Sequence, residues 1–337
     1  MSLPSDIVSP LLAWYAKERR ILPWREDPTP YHVWVSEIML QQTRVETVID
    51  YYHRFLERFP DVFSLAAADR DEVLAYWQGL GYYRRCEALH RGAAAVVSEY
   101  GGEIPADFES LLSLPGIGRY TAAAILSIGF GIAAPAVDGN VLRVVTRLMN
   151  RDDCIDDERT KRAVEGELRE IIPEKEASAF TQALMDLGAT VCLPGGAPLC
   201  SRCPWETLCA GKERWEELPR RKQKKSRTVE NRTVLLLCHE GAVALRKRPA
   251  KGLLANLWEF PNEEGNLTEA EISGRFRGSV AFLGKAKHVF THREWHMTAF
   301  RVDLAEKTEE PGLLWVKKEG IAAYAIPSAF SFIKKEL

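Results

Sequence analysis

Apolar positions recur at spacings of three and four through the first two-thirds of the chain, as in Ile38, Leu40, Val45, Val48 and Ile49, or in Leu111, Leu112 and Leu114. That period predicts amphipathic helices. Gly or Pro interrupts it at Phe59-Pro60, at Gly101-Gly102 and at Leu114-Pro115-Gly116, which marks the breaks between them. Alanine-rich stretches such as Thr121 to Leu126 suit helix. A helical domain is therefore expected over residues 1–213. The pattern changes near Trp215, where a basic stretch with Pro219 predicts a linker over 214–231. After Arg232 the pattern becomes β-like. A compact apolar run from Thr233 to Cys238 reaches a turn at His239-Glu240-Gly241 and a second strand from Ala242 to Arg246. Further on, His296, Thr298, Phe300 and Val302 alternate with Met297, Ala299 and Arg301. Ser328 to Leu337 reads as a closing helix, so residues 232–337 form an α+β domain. No internal repeat interrupts this two-domain plan.

The length of 337 residues accommodates two domains, and 46% hydrophobic with 27% charged residues is the balance of a soluble globular protein. No apolar run approaches the roughly 18–20 residues of a membrane span. The first residues lack the basic and apolar regions of a signal peptide. A cytoplasmic protein without membrane partners is expected. The net charge of −2 does not point to nucleic acid. Locally, Arg220 to Arg227 reads RRKQKKSR, six basic residues without an acid. A solvated linker and a segment lying against phosphates both fit it.

Seven cysteines are present, and four of them, Cys192, Cys200, Cys203 and Cys209, share one short segment with seven, two and five intervening residues. Cys86, Cys154 and Cys238 stand alone and read as buried apolar groups. A reduced protein with one metal site fits this better than a disulfide framework. Spacing alone leaves structural zinc and iron–sulfur ligation both open.

Three further segments carry candidate chemistry. Leu114-Pro115-Gly116-Ile117-Gly118-Arg119-Tyr120-Thr121-Ala122 lies between an apolar helix (Phe108 to Leu112) and another (Thr121 to Ile128). Gly116 and Gly118 permit a tight turn and a close approach to another surface, and exposed N–H groups beside a helix start favour a phosphate. An ordinary glycine turn between helices would explain it, but LPGIG followed by a small-residue helix favours a helix–hairpin–helix DNA-backbone clamp. Asp138 follows in an otherwise apolar stretch, Ala136-Val137-Asp138-Gly139-Asn140-Val141. A helix N-cap and a substrate-facing carboxylate explain it equally well. Glu37 is the one acid in Val33-Trp34-Val35-Ser36-Glu37-Ile38-Met39-Leu40-Gln41-Gln42-Thr43. It is either paired with a distant Arg or, if buried alone, holds its proton near neutral pH.

LPGIGRYTA with the later VDGNV resembles the helix–hairpin–helix DNA glycosylase superfamily, whose shared acid matches Asp138. LPWREDPTPYHVWVSEIMLQQTRVETV, from Leu22 to Val48, is similar to the MutY-type adenine DNA glycosylases. The resemblance covers nearly the whole chain and is strongest from Leu22 to Cys209. It implies a multidomain protein, with an all-α helix–hairpin–helix glycosylase domain followed by an α+β Nudix-like domain. It also implies removal of adenine mispaired with 8-oxoguanine or guanine in duplex DNA. By that resemblance Glu37 protonates adenine and helps handle water, and Asp138 stabilises the sugar cation. Tyr120 and Asn140 assist beside them. Trp24 and Arg25 wall the adenine pocket, while Leu40, Gln41, Gln42 and Thr43 enter the helix beside the lesion. Bifunctional relatives such as endonuclease III carry a lysine where this chain has Tyr120, which cannot form a Schiff base, so a monofunctional enzyme is expected. The four cysteines are implied to hold a [4Fe–4S] cluster that orders a basic, DNA-facing loop (Arg202, Lys212, Arg214). Their first spacing is one residue longer than is usual in the family.

Gln78-Gly79-Leu80-Gly81-Tyr82-Tyr83-Arg84-Arg85 reads either as a packed helix end or as a wedge, with Tyr82 entering the base stack and Arg84 or Arg85 holding phosphate. The resemblance favours the wedge. Gly252 to Pro261 (GLLANLWEFP) resembles a Nudix core, but NEEGNLTEAEISGRF lacks the paired glutamates of a Nudix box, so neither Mg²⁺ nor nucleotide hydrolysis is expected here. Phe290-Thr291-His292 matches the family loop that recognises 8-oxoguanine. His288, His292 and His296 are spaced too far apart along a strand for a metal site. A monomer is expected.

Overall fold

The computed structural model describes residues 2–223, 226–308 and 310–337, and Lys224 and Lys225 of the basic run lie outside the described residues. Two compact units are present. One comprises residues 1–67 with 85–223, the other 68–84 with 224–337. Along the chain, the helices are α1 (Val8–Glu18), α2 (Pro30–Leu40), α3 (Val45–Arg58), α4 (Val62–Ala67), α5 (Arg70–Trp77), α6 (Tyr83–Tyr100), α7 (Phe108–Ser113), α8 (Arg119–Ala124), α9 (Gly139–Leu148), α10 (Glu158–Ile171) and α11 (Ala177–Thr190). No helix is long and apolar enough to cross a membrane among the described residues.

In the first unit α2 is the central element. Thr29 caps it by accepting from His32 N–H at 3.2 Å, and Pro30 takes the first helical position. Tyr31 and Val33 to Met39 are all buried, which is why its apolar residues run around the helix rather than along one stripe. Burying Trp34 completely is worth about 3 kcal/mol. Close packing there depends on Gly92, where a Cβ would stand 2.7 Å from the Trp34 ring. A second core joins α1, α9, α10 and α11 around Leu11, Val141, Phe180 and Trp205.

The apolar period from Ile38 to Ile49 does not belong to one helix. The chain turns between Leu40 and Val45, with Gln42 in the left-handed region (φ 57°) and no Gly or Pro to announce the turn. The segment from 108 to 129 forms α7, the hairpin and α8, then continues as one π-helical turn, Ile125–Gly129.

Residues 214–223, expected as a linker, are tied to the loop before α10. Arg214 and Arg220 meet Asp152 at 2.7 and 3.2 Å, and Ile155 N–H donates to Arg220 O at 3.0 Å. Lys222 pairs with Asp157.

The second unit is built on a sheet of β1 (Thr228–His239), β2 (Ala242–Lys247), β3 (Trp258–Glu259), β4 (Asn262–Glu264), β5 (Gly278–Val289), β6 (Arg293–Leu304) and β7 (Leu313–Lys317), with α12 (Glu269–Ser273) and α13 (Ser331–Lys334) against it. The order is β3-β2-β1-β6-β5, with β4 on β1 and β7 on β2. Among the described residues of this sheet, only the β1–β6 pair is parallel. The strand β1 is covered on both faces, Val234 and Leu236 by one core, Leu235 and Leu237 by the other. This explains its unbroken apolar run. Glu240 and Gly241 both take positive φ, as a two-residue hairpin between β1 and β2 requires. The expected closing helix is instead a 3₁₀ turn, Ser328–Phe330, leading into α13, and Phe330 and Ile333 seal one core.

Candidate active site

A cavity of about 840 Å³ opens in the helical unit. Of the residues named from the sequence, Trp24, Arg25, Glu37, Leu40–Thr43, Gly116, Gly118, Tyr120, Asp138 and Asn140 line it, whereas Arg85, Arg202, Lys212 and Arg214 do not. Those that line it come from the turn before α2, from α2 and the turn after it, from the hairpin, and from the start of α9.

Glu37 sits on the penultimate turn of α2, and 6% of it is exposed. Tyr120 Oη donates to Glu37 Oε2 at 2.7 Å. Burial pushes the Glu37 pKa up to about 7. The Tyr120 hydrogen bond opposes that shift, the Asp138 charge adds to it, and Arg25 weakly opposes it. The pairing with a distant Arg does not form, because Arg25 is taken by another acid. Its guanidinium donates to Asp186 Oδ2 at 2.7 Å and Oδ1 at 2.9 Å, and Arg20 Nε adds a bond to Oδ1 at 2.7 Å. Burial resists ionisation of Asp186, but these two arginines outweigh it and hold its pKa below the usual value. Asp186 on α11 and Arg20 were not singled out from the sequence. Nothing local marks them, since the pairing spans more than 160 positions.

The N-cap reading of Asp138 holds, and the residue also lines the cavity. It caps α9 by accepting Val141 N–H on Oδ1 at 2.8 Å. Oδ2 accepts from Asn140 Nδ2 at 2.7 Å. Burial raises the Asp138 pKa, while these donors and the Arg143 charge favour its anion. Arg143, buried at 3% exposure, supports Asn140 from behind. It donates to Asn140 Oδ1 at 2.9 Å, to Gly188 O at 2.7 Å and to Cys192 O at 2.8 Å. Gly188 is needed here, because a Cβ at that position would stand 2.6 Å from Asn140 Cβ.

The two hairpin glycines differ. Gly116 has φ 81°, and a Cβ there would lie 2.6 Å from Ala88 Cβ, so the fold itself requires glycine. Gly118 has an ordinary φ of −97° and open space around it. Its missing side chain matters only to something that approaches from outside.

Cys192, Cys200, Cys203 and Cys209 share the walls of one small pocket. Arg147, buried at 5% exposure, organises the loop. It donates to Leu193 O, Trp215 O and Leu218 O at 2.9 Å each and points Nη1 at Cys192 Sγ, 3.3 Å away. Burial pushes the Cys203 thiol up to about 12 and raises Cys200 and Cys209. Backbone N–H groups of Trp205 and Gly211 reach Cys203 and Cys209. Among the described residues no group of three or more His, Cys, Asp or Glu is placed to hold a metal ion. The basic residues expected to face DNA are locally paired. Arg202 meets Glu18, Lys212 meets Glu206, and Arg214 meets Asp152 and Glu217.

In the second unit, Tyr82 is 45% exposed with φ 49°, in a turn where Gly79 and Gly81 also have positive φ. Gln78 Nε2 holds this turn by donating to Tyr324 O and Ile326 O at 3.3 and 3.0 Å. Arg84 donates to Gly252 O at 3.1 Å. Arg85, in the first unit, turns inward to backbone carbonyls rather than outward to phosphate. At the β5–β6 tip Phe290 faces in, its ring 5.0 Å from Trp295, and Thr291 and His292 are exposed. His296 pairs with Glu294 at 2.6 Å and shares no site with His288.

Comparison with known proteins agrees with this architecture. Residues 35–174 match the HhH-GPD superfamily of base excision DNA repair proteins, and residues 232–335 match the NUDIX domain. A thermostable thymine-DNA glycosylase structure superposes with a TM-score of 0.57 at 29% identity, covering 62% of this chain and 96% of that one. Endonuclease III in a non-covalent DNA complex gives 0.55 at 25% identity, covering 64% and 99%. The fold and site thus define a helix–hairpin–helix protein of base excision repair with a Nudix-type second domain.

Among similar sequences, the Homo sapiens adenine DNA glycosylase is 34% identical over 391 aligned positions, covering 95% of this chain and 71% of the relative. That of Mycolicibacterium smegmatis is 42% identical over 195 positions, covering 58% and 66%. The chain belongs to the adenine DNA glycosylase family, base-excision enzymes that hydrolyse the N-glycosidic bond.

Proposed function

We propose that this enzyme excises adenine opposite 8-oxoguanine, or opposite guanine, from duplex DNA without a lyase step. The observation that carries the reading is Glu37: a buried carboxyl with no cation of its own, poised to hold a proton near pH 7, in the same cavity as a second acid. Adenine flipped into the cavity takes the Glu37 proton on N7. The C1′–N9 bond then breaks with its electron pair going to the base, and the sugar gains cationic character beside the Asp138 carboxylate. Water adds to C1′, its proton returns to Glu37, and an abasic sugar remains. Tyr120 keeps Glu37 oriented and offers no amine for a Schiff base.

The exposed Gly118 backbone suits a phosphate of the duplex. The wedge role of Tyr82 rests on its exposed, left-handed position, and the reading of the opposite base rests on the exposed Thr291 and His292.

The cysteine loop fits a [4Fe–4S] cluster. Four soft donors line one pocket, with an arginine and backbone N–H groups directed at sulfur. When bound through Cys192, Cys200, Cys203 and Cys209, the cluster supplies a covalent crosslink of the loop.

Single-turnover adenine release tests the reading, from duplexes with adenine opposite 8-oxoguanine, guanine or thymine. Fast release opposite 8-oxoguanine, none opposite thymine, and loss in Glu37→Gln are expected. Equal release from all three duplexes refutes the specificity. A borohydride-trapped covalent complex refutes the monofunctional assignment.

A further inference from the structure

We propose that Arg85 is a positioning residue that sets the Leu40–Thr43 turn, and through it the last turn of α2, for excision. The helix α2 ends at Leu40, so its final carbonyls lack partners within the helix. Arg85, on α6, supplies them. Nη1 meets Ile38 O at 2.6 Å, Met39 O at 2.9 Å and Gln41 O at 2.5 Å, and Nη2 donates to Thr43 Oγ1 at 3.1 Å. Thr43 Oγ1 in turn lies 3.4 Å from Gln41 O, and Thr43 N–H donates to Leu40 O at 3.2 Å.

One guanidinium therefore spans both sides of Gln42, which sits at φ 57° without being glycine. That conformation is costly for an ordinary side chain and persists only where its surroundings impose it. A positive charge at the helix C-terminus also complements the helix dipole. The effect reaches the chemistry because Ile38, whose carbonyl Arg85 holds, directly follows Glu37, and because Leu40 to Thr43 wall the same cavity.

This inference rests on the proposed entry of that turn into DNA. Lysine keeps the charge but not the planar fork, so Arg85→Lys is the informative variant, with Arg85→Met beside it. The rate constant and amplitude of single-turnover adenine release separate positioning from folding, since lost fold lowers the amplitude and lost geometry lowers the rate constant. Arg85→Lys is expected to lose about 10- to 100-fold in rate constant at near-normal amplitude, with an unchanged pH profile. Hydrogen exchange in the DNA-free protein should speed up for the amides of 41–43, and Thr43→Val added to Arg85→Lys should cost little more. An unchanged rate constant, or a loss confined to amplitude, overturns the proposal. So does a slowed rate without faster exchange at 41–43. If exchange changes as expected but Gln42→Ala leaves duplex binding and excision intact, the entry of this turn into DNA is refuted while the Arg85 clamp stands.

Discussion

Replacing Glu37 with Gln should abolish excision and yet raise the stability of the free protein relative to wild type as pH rises. The Glu37 pKa rises from an ordinary 4.5 to about 7 in the folded chain, chiefly through burial. A group raised by folding binds its proton more tightly in the native state. Stability is therefore fully present below 4.5 and is lost as pH rises through 7. The separation of the two values corresponds to about 3 kcal/mol, of which roughly 2 kcal/mol falls between pH 5.5 and 8. Gln is neutral throughout and suffers no such loss. Its amide still needs a partner, but that cost is the same at both pH values and cancels in the difference. Thermal unfolding of DNA-free protein by tryptophan fluorescence reads the effect. At about 2–4 °C per kcal/mol for a unit of this size, the Tm of Glu37→Gln relative to wild type should rise by about 4–8 °C between pH 5.5 and 8. The wild-type excision rate should fall over the same range as Glu37 loses its proton. A Tm difference that stays constant between the two pH values would refute the reasoning, because it would mean that Glu37 ionises as it does in the unfolded chain.

Three other outcomes follow from the geometry. Asp186→Asn strips the counter-charge from Arg20 and Arg25 and should cost about 3–5 kcal/mol. The freed Arg25 charge should also move the alkaline limb of excision to lower pH, so an unshifted pH profile would contradict the electrostatic account. Gly116→Ala should destabilise the protein by about 1–3 kcal/mol through its positive φ and its clash with Ala88. Gly118→Ala should leave the melting temperature nearly unchanged while weakening duplex binding in a gel shift, and equal effects of the two substitutions would be the contrary result. Cys203→Ser should purify with less iron and sulfide and melt at lower temperature, whereas identical iron content and Tm would count against the cluster.

The sequence by itself determined what is local and dense in chemistry. LPGIGRYTA announces the hairpin, because a turn needing positive φ at Gly116 leaves glycine in the chain for all to see. The cysteine spacing gathers four thiols into one short segment whose side chains line one pocket, and the period change after Arg232 reports the passage from helix to sheet. Glu37 and Asp138 are legible as odd acids in apolar stretches, though not the burial and partners of each. Only the tertiary structure decided those. Asp186 captures Arg25 and so leaves Glu37 without a cation. Gly188, more than 40 positions along the chain, leaves room for Asn140, and Arg143 joins the two by donating to Asn140 Oδ1 and Gly188 O. The turn at Gln42 carries no local signal, because its conformation is imposed by Arg85 from another helix. Proton affinity, orientation and strain at this site depend on burial and on partners far away in the chain. Those properties exist only once the helices have packed.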